Sequence, residues 1–284
     1  TPFNWDETEA EGRLDEMFLT GTFNDGEQLL SNIVFTRDPR LYESVIVNGL
    51  PGNLGWSSVS VGGDPYELWV GGSHAGSNSF NETMRYATGY ENMKYYLGSS
   101  DYLRQNTQWV ALRLSDLYLT YAEALLQANN DHQGAVDQID IVRARVGLPG
   151  LVQSNPGKRL LTDKDALIEE LLRERVCELG MEDSRFFDLI RYKRADRFEK
   201  QLHGLLIYRL DENGGRIEKA WRDGTGSTSK VDGALQPYFD YEKFELKNSR
   251  RYWWLYGFEP KWYLSPFPQT EVNKGYGLVQ NPGW

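Results

Sequence analysis

The sequence predicts a mainly α fold: tetratricopeptide-like helical hairpins with long irregular loops and a few short strands. Three observations predict it. Apolar residues recur at helical spacing in two successive segments, 112–146 and, after a polar loop, 162–194. A glycine-rich stretch over about 48–108 has no such period. Beyond 204 the chain is aromatic and interrupted by Pro260, Pro266 and Pro268, which exclude a continuous helix. The helical core is therefore drawn at about 112–203, an irregular loop region at about 48–108 and an irregular C-terminal region at about 204–284.

In chain order, residues 1–47 are mixed, with an acidic WDETEAEG stretch. TRDPRLYESVIVNG reads as a short helix, with Asp38 as its cap, Pro39 in its first turn and Gly49 as its stop. Eight glycines between Gly49 and Gly76 make the next segment loop with at most a short hairpin. Trp56, Tyr66 and Trp69 inside it argue against plain disorder. In LRLSDLYLTYAEALLQA, the residues Leu114, Leu117, Tyr121, Ala124, Leu125 and Ala128 recur at three- and four-residue steps and predict the buried stripe. NNDH ends that helix, and Val136, Ile139, Val142 and Val146 form the stripe of the next, which Gly147 and Pro149 stop. Thr162 and Asp165 resemble a capping box ahead of Leu167, Leu171, Leu172 and Leu179. A further helix begins near Ser184 and carries Phe186, Phe187, Leu189 and Ile190. Two hairpins in succession suggest a helical-repeat framework, although their spacing exceeds the usual ~34-residue tetratricopeptide period.

Composition excludes some functions. The chain has 284 residues, 40% hydrophobic, enough for a sizeable core. A formal charge of −10 with no basic stripe argues against nucleic acid. No apolar run is long enough to span a bilayer, and no signal-peptide pattern opens the sequence. Cys177 is the single cysteine, so no intrachain disulfide forms, and its apolar neighbours predict a buried, inert thiol. Tyr is 17 and Trp is 9, which favours binding surfaces as well as cores.

RERVCELGMEDSRFFDLIRYKR, residues 173–194, is the densest charged stretch. Glu174 and Glu178 share a helix face, and Asp188 follows on the next helix. A glycoside hydrolase needs two such carboxyls, one of them with a raised pKa. Here each carboxylate has a basic neighbour, which keeps it ionised and suits ion pairs between helices. That reading expects Glu178 and Arg185 to be paired or largely buried at the corner between the helices. His74, His132 and His203 are scattered, without zinc-ligand spacing. No nucleophile elbow, phosphate loop or dinucleotide fingerprint is present. Calcium is an alternative for the Asp-rich loops, but no EF-hand spacing supports it. The glycine-rich loop offers a different chemistry. A sugar has an apolar C–H face and a hydroxyl edge, which stacking rings and hydrogen-bonding side chains complement. Trp56, Tyr66 and Trp69 are the candidate platforms, with Asn53, Asp64, Asn78 and Arg85 as hydrogen-bonding candidates. The competing reading is that these rings pin the loop to the helices.

Three segments together resemble the SusD/RagB-like outer-membrane lipoproteins of Bacteroidetes. RLSDLYLTYAEAL, Arg113 to Leu125, is similar to R-L-A-E-x-Y-L-x-Y-A-E-A-L. The 173–194 stretch is similar to E-R-R-x-E-L-A-F-E-G-x-R-F-F-D-L-x-R-W, and the ending YLSPFPQTEVNKGYGLVQNPGW is similar to a terminus with P-I-P-x-x-E and Q-N-P-G-W/Y. DPRL at Asp38 and TGYENMKYY from Thr88 agree in order and spacing. Val176, Gly180, Asp183 and Phe267 depart from those patterns; Asp183 stands where Gly is usual, and Asp tolerates a left-handed corner.

The resemblance implies a tetratricopeptide-like scaffold whose loops bind glycan without catalysis. It implies a surface-exposed, lipid-anchored outer-membrane protein that delivers oligosaccharide to a SusC-like TonB-dependent transporter. It also implies that these residues are the C-terminal portion of a longer protein, whose N-terminal half meets apolar faces of the helices. Two alternatives remain: a glycoside hydrolase using Glu174, Glu178 or Asp188, and a transporter-binding scaffold with no ligand site of its own.

Overall fold

The structure is a computed structural model that describes residues 19–22, 31–35, 37–50, 66–75, 88–95, 109–211, 213–220, 239–246 and 253–284. Strands β1 (Leu19–Thr22) and β2 (Ser31–Phe35) pair antiparallel, with a register shift between Thr20 and Thr22. Helix α1 (Pro39–Ser44) follows. Asp38 caps it, its carboxylate accepting from the Arg40 amide at 3.0 Å, and Pro39 sits in the first turn. The helix stops at Ser44, before the expected Gly49, because Val45–Val47 leave it as strand β3 and pair antiparallel with β4 (Tyr90–Asn92). Three β-branched residues in a row favour that extended exit.

The helical framework consists of α2 (Leu114–Asn129), α3 (His132–Arg145), the single turn α4 (Leu151–Ser154), α5 (Lys164–Glu178), α6 (Ser184–Arg191) and α7 (Ala195–Phe198). Asp131 caps α3 through the Gly134 amide. Asp163 caps α5 through the Ala166 amide, so the expected Thr162 box is replaced by the next residue in the chain. The α5 stripe is as expected: Leu167, Leu171, Leu172 and Leu179 are all buried. So are Val136, Ile139 and Val142 of α3.

The stripe expected for α2 is on the wrong face. Leu114, Leu117 and Tyr121 are 64%, 49% and 53% exposed, whereas Leu119, Ala122 and Leu126 are fully buried. The helix has two apolar faces beside one polar stripe of Asp116, Thr120, Glu123 and Gln127, so two sets of residues satisfy the same period. The inward one joins Ala135, Val136, Ile139 and Val142 of α3 and Leu167 and Leu171 of α5 in one core.

The C-terminal region is less irregular than the sequence suggests. Strands β5 (His203–Leu210), β6 (Arg216–Ile217) and β7 (Phe239–Glu245) form an antiparallel sheet of order β6-β5-β7, with Ile207 opposite Tyr241. Short helices α8 (Trp253–Tyr256) and α9 (Gln269–Val272) and a 3₁₀ turn at Pro260–Tyr263 follow. Phe198, Phe258 and Leu189 bury together, with Trp253, Trp262 and Tyr263 packed around them.

A second core joins β3, β5 and β7 to residues 66–70. Tyr66 and Trp69 lie in it, 3% and 0% exposed. The Trp69 Nε1 donates to the Lys219 carbonyl at 2.8 Å, and its ring lies 5.6 Å from that of Phe239. Gly71 lets this turn reach the sheet: its φ is +81°, and a Cβ there would overlap the Glu218 backbone.

These assignments predict opposite outcomes for neighbouring substitutions. Leu119→Ala is expected to cost about 2–5 kcal/mol and Trp69→Ala about 3–5 kcal/mol in urea unfolding. Leu117→Ala, on the outer face of the same helix, is expected to stay within about 0.5 kcal/mol.

Candidate functional site

The charged stretch forms the junction of the molecule. Glu174 and Glu178 are one turn apart on α5 and project from the same face. Arg40 reaches both from α1, Nη1 donating to Glu174 Oε1 at 2.6 Å and to Glu178 Oε2 at 3.0 Å. Its remaining nitrogens, Nε and Nη2, donate to Asp38. Arg143 closes on Glu174 at 2.8 Å. Arg113, immediately before α2, donates Nη1 to Glu178 Oε1 at 2.6 Å, Nε to Glu182 Oε2 at 2.8 Å and Nη2 to the Glu178 carbonyl at 2.6 Å. Arg145 adds Nη2 to both Glu178 oxygens at 2.8 and 2.9 Å, and Lys94 pairs with Glu182. The Glu178 side chain is 1% exposed and faces three guanidiniums. Glu178 and Arg185 were expected to be paired or largely buried at this corner; Glu178 is buried, and its partners are Arg40, Arg113 and Arg145. Arg185 is half-buried and donates to the Leu172 carbonyl at 3.3 Å.

A left-handed corner allows Glu182 to return over this cluster. Met181 and Asp183 have φ of +64° and +60°, so Asp183 tolerates the position where Gly was the familiar residue. On the other side of α5, Arg175 binds Asp188 at 2.7 Å and Asp116 at 3.0 Å. Arg191 completes that second network through Asp188 at 3.0 Å and Glu123 at 2.6 Å.

This electrostatics suits structure and disfavours acid catalysis. Burial pushes the Glu178 carboxyl up, but hydrogen bonds from Arg113 and Arg40 outweigh it and bring its pKa down to about 2. Glu182 is lowered as well; burial opposes the shift, and bonds from Arg113 and Lys94 prevail. A general acid must instead hold its proton near neutral pH. Glu174 accepts from two arginines, and so does Asp188.

The expected sugar-binding residues fare differently. Tyr66 and Trp69 are core residues, a correction to their expected role as stacking platforms: both ring faces of a fully buried indole are already occupied by protein. Asn53, Trp56, Asp64, Asn78 and Arg85 lie outside the described residues. His74 and His132 serve the structure, His74 Nδ1 accepting from the Glu67 amide at 3.0 Å and His132 Nδ1 bonding the Leu160 carbonyl at 2.8 Å. Cys177 is exposed, contrary to the expected buried thiol, because it stands on the outer face of α5, between the inward Glu174 and Glu178. Among the described residues no group of His, Cys, Asp and Glu converges as a metal site, and no helix is long and apolar enough to cross a membrane.

Two clefts border the networks. The first, about 260 Å³, opens above the Glu178 cluster between Glu43, Ser44, Lys94, Tyr95, Val110, Arg113 and Arg145. At its edge Tyr95 stacks on Trp109, ring centroids 4.9 Å apart and planes 22° apart, and Trp109 is 54% exposed. The second, about 410 Å³, lies between α2 and α6 and is lined by Thr120, Glu123, Gln127, Ser184, Phe187 and Arg191, among others. Phe187 is 62% exposed there. Tyr95 belongs to the TGYENMKYY segment quoted above, but Trp109 was not singled out. The readable signal was an aromatic four residues ahead of an arginine at a helix start.

Helical hairpins held by ion pairs, with aromatic and guanidinium groups left at open clefts, define a helix-rich scaffold protein. The model of the SusD family matches residues 15–284, and the chain belongs to that family. Among solved structures it is similar to a SusD-like protein from Bacteroides fragilis, with a TM-score of 0.56 and 23% identity over 88% of this chain and 39% of that one. That likeness shows a SusD-like fold, of which the chain spans 39% of the compared length. No curated protein matches the chain.

The Glu178 cluster predicts an acid-sensitive fold. Its carboxyl falls from an ordinary 4.5 to about 2 on folding. The stabilisation is thus complete above pH about 4.5 and is lost as pH falls towards 2, about 3 kcal/mol in all. Urea unfolding between pH 7 and 2 is expected to show this decline. Glu178→Gln is expected to cost about 3–5 kcal/mol at pH 7, by leaving buried guanidiniums uncompensated, and to flatten the acid limb.

Proposed function

We propose that this chain is the C-terminal, glycan-binding portion of an outer-membrane nutrient-uptake protein that has no catalytic activity of its own. It hands oligosaccharide to a SusC-like TonB-dependent transporter and is held at the cell surface by a lipid anchor. The observation that carries this reading is membership of the SusD family over nearly the whole chain. The ion-paired state of Glu178 supports it over the hydrolase alternative. The Tyr95–Trp109 stack, whose Trp109 ring is exposed, supports a ligand role over a bare transporter-binding scaffold. Trp56, with Asn53, Asp64, Asn78 and Arg85, remains part of the proposed ligand surface. Exposed Leu114, Leu117 and Tyr121 on α2 support a further helical partner, which we assign to an N-terminal half of the same protein.

Affinity electrophoresis of the chain in gels containing soluble polysaccharides tests the reading. Retardation by at least one polysaccharide is expected, unchanged by EDTA because no metal is assigned to the site. Trp56→Ala is expected to weaken retention about two- to tenfold, in line with one lost stacking contact of ~0.5–1.5 kcal/mol. Release of reducing sugar by the wild-type chain would restore the hydrolase reading, and absence of retardation with every polysaccharide would remove the glycan one.

A further inference from the structure

We propose that the cleft between α2 and α6 binds an uncharged sugar, with the pyranose ring on Phe187 and its hydroxyls on Asp116, Gln127 and Arg191. The inference rests on the glycan-binding reading above. It adds residues outside the Trp56 loop and names the class of sugar they hold.

Two helix faces build the cleft. The one polar stripe of α2, Asp116, Thr120, Glu123 and Gln127, recurs at three- and four-residue steps and borders it. From α6 come Phe187 and Arg191, four residues apart and so on one face. The space, about 410 Å³, falls within the ~300–1,000 Å³ of small-molecule sites.

The Phe187 ring is fixed before a ligand arrives. It is 62% exposed, yet Phe186 meets it edge to face, centroids 5.6 Å apart and planes 80° apart. Phe186 in turn lies 5.8 Å from Phe198 and 6.4 Å from Trp253, in the C-terminal aromatic cluster. An apolar ring beside a polar stripe matches the two surfaces of a sugar, its C–H face and its hydroxyl edge. An apolar peptide segment would cover the same ring and leave the stripe's polar atoms unmet.

The polar atoms have bonds to spare. Asp116 accepts only through Oδ1, from Arg175 at 3.0 Å and from Thr120 at 3.4 Å. Gln127 uses only Nε2, towards the Tyr192 hydroxyl at 3.3 Å. Arg191, 49% exposed, uses Nη1 and Nη2 on Glu123 and Asp188. Asp116 Oδ2, Gln127 Oε1 and Arg191 Nε are therefore left without a hydrogen bond among the described residues. Two acceptors and a donor suit hydroxyls, each of which both donates and accepts.

The charges exclude an ionic ligand. Each carboxylate of the lining is paired: Arg175 binds Asp116 and Asp188, and Arg191 binds Glu123 and Asp188. Arg185 lies in electrostatic reach of Asp188 and makes no ion pair among the described residues, so Arg175, Arg185 and Arg191 balance Asp116, Glu123 and Asp188. Arg194 and Arg197, the next cations, are balanced by Glu169 and Asp196. A charged ligand would give up hydration here and meet no uncompensated partner, a cost that a neutral sugar does not carry.

Calorimetric titration of the whole chain with neutral oligosaccharides of glucose, galactose and mannose, each beside the corresponding uronate, tests this. At least one neutral sugar is expected to bind more tightly than its uronate, with an affinity that 0.5 M salt leaves unchanged. Phe187→Ala is expected to weaken it about two- to tenfold and Phe187→Tyr to retain it, since a phenol ring still stacks. Gln127→Ala is expected to weaken it by a similar factor. Leu117→Ala, on the same helix outside the cleft, is expected to bind as the wild type does. Unfolding midpoints like that of the wild type confirm that the variants are folded, and Gln127→Ala, at an exposed polar position, carries the test should Phe187→Ala fail this check. Wild-type affinity in either folded variant, or tighter binding of a uronate than of its neutral counterpart, overturns this inference and leaves the glycan reading standing. Binding of no glycan, neutral or acidic, removes both.

Discussion

The carboxylate of Glu178, buried between Arg40, Arg113 and Arg145, is the interaction on which the arrangement of the chain depends. Those guanidiniums come from the first turn of α1, from just before α2 and from the end of α3, so one side chain of α5 ties four segments together. Arg40 lies 138 positions from Glu178 in sequence. Without the carboxylate, three cations would converge in a poorly solvated space, and no rearrangement of α5 alone could satisfy them. Buried ion pairs add little net stability compared with a well-packed apolar alternative, because desolvation cancels most of the attraction. Their effect here is on register: only one rotation of α5 puts Glu174 and Glu178 in reach of all their partners.

The apolar core and this network divide the work on α5. One face of α5 carries Leu167 and Leu171 into the helical core in its first half and Glu174 and Glu178 towards α1 in its second. The residues that look most like catalysts thus act as the clamp between the helical hairpins and the segment that leads into the sheet. From α1 the chain passes directly into β3 and the second core, where Tyr66 and Trp69 fasten the 66–75 turn to β5 and β7. Aromatic side chains therefore serve two purposes. Those of the turn are consumed in packing, and those at the cleft, Tyr95 and Trp109, keep a face towards solvent.

Much of the fold was legible because local signals are strong where one face must be buried. The α5 stripe, the Asp38 cap with Pro39 and the Asp183 corner follow from periodicity and backbone preference at single positions. Less of the candidate site was legible. Trp69 and Trp109 are equally aromatic in sequence, yet one is fully buried and the other half-exposed, a difference set by what the sheet happens to cover. Likewise the burial of Glu178 at the corner was legible, but not its partners: Arg185 bonds a carbonyl of α5, and Glu178 faces arginines that only folding brings near.

By itself the sequence determined the mainly α class, the two hairpins and the ionised, structural character of the acidic stretch, because helical period, caps and the abundance of arginine beside carboxylate are local properties. Only the tertiary structure decided which of the two apolar faces of α2 turns inward, which arginines neutralise Glu178 and which aromatic rings remain available to a ligand. Each of these depends on contacts between residues far apart in the chain, where burial and charge pairing are settled by geometry that spacing along the chain does not contain.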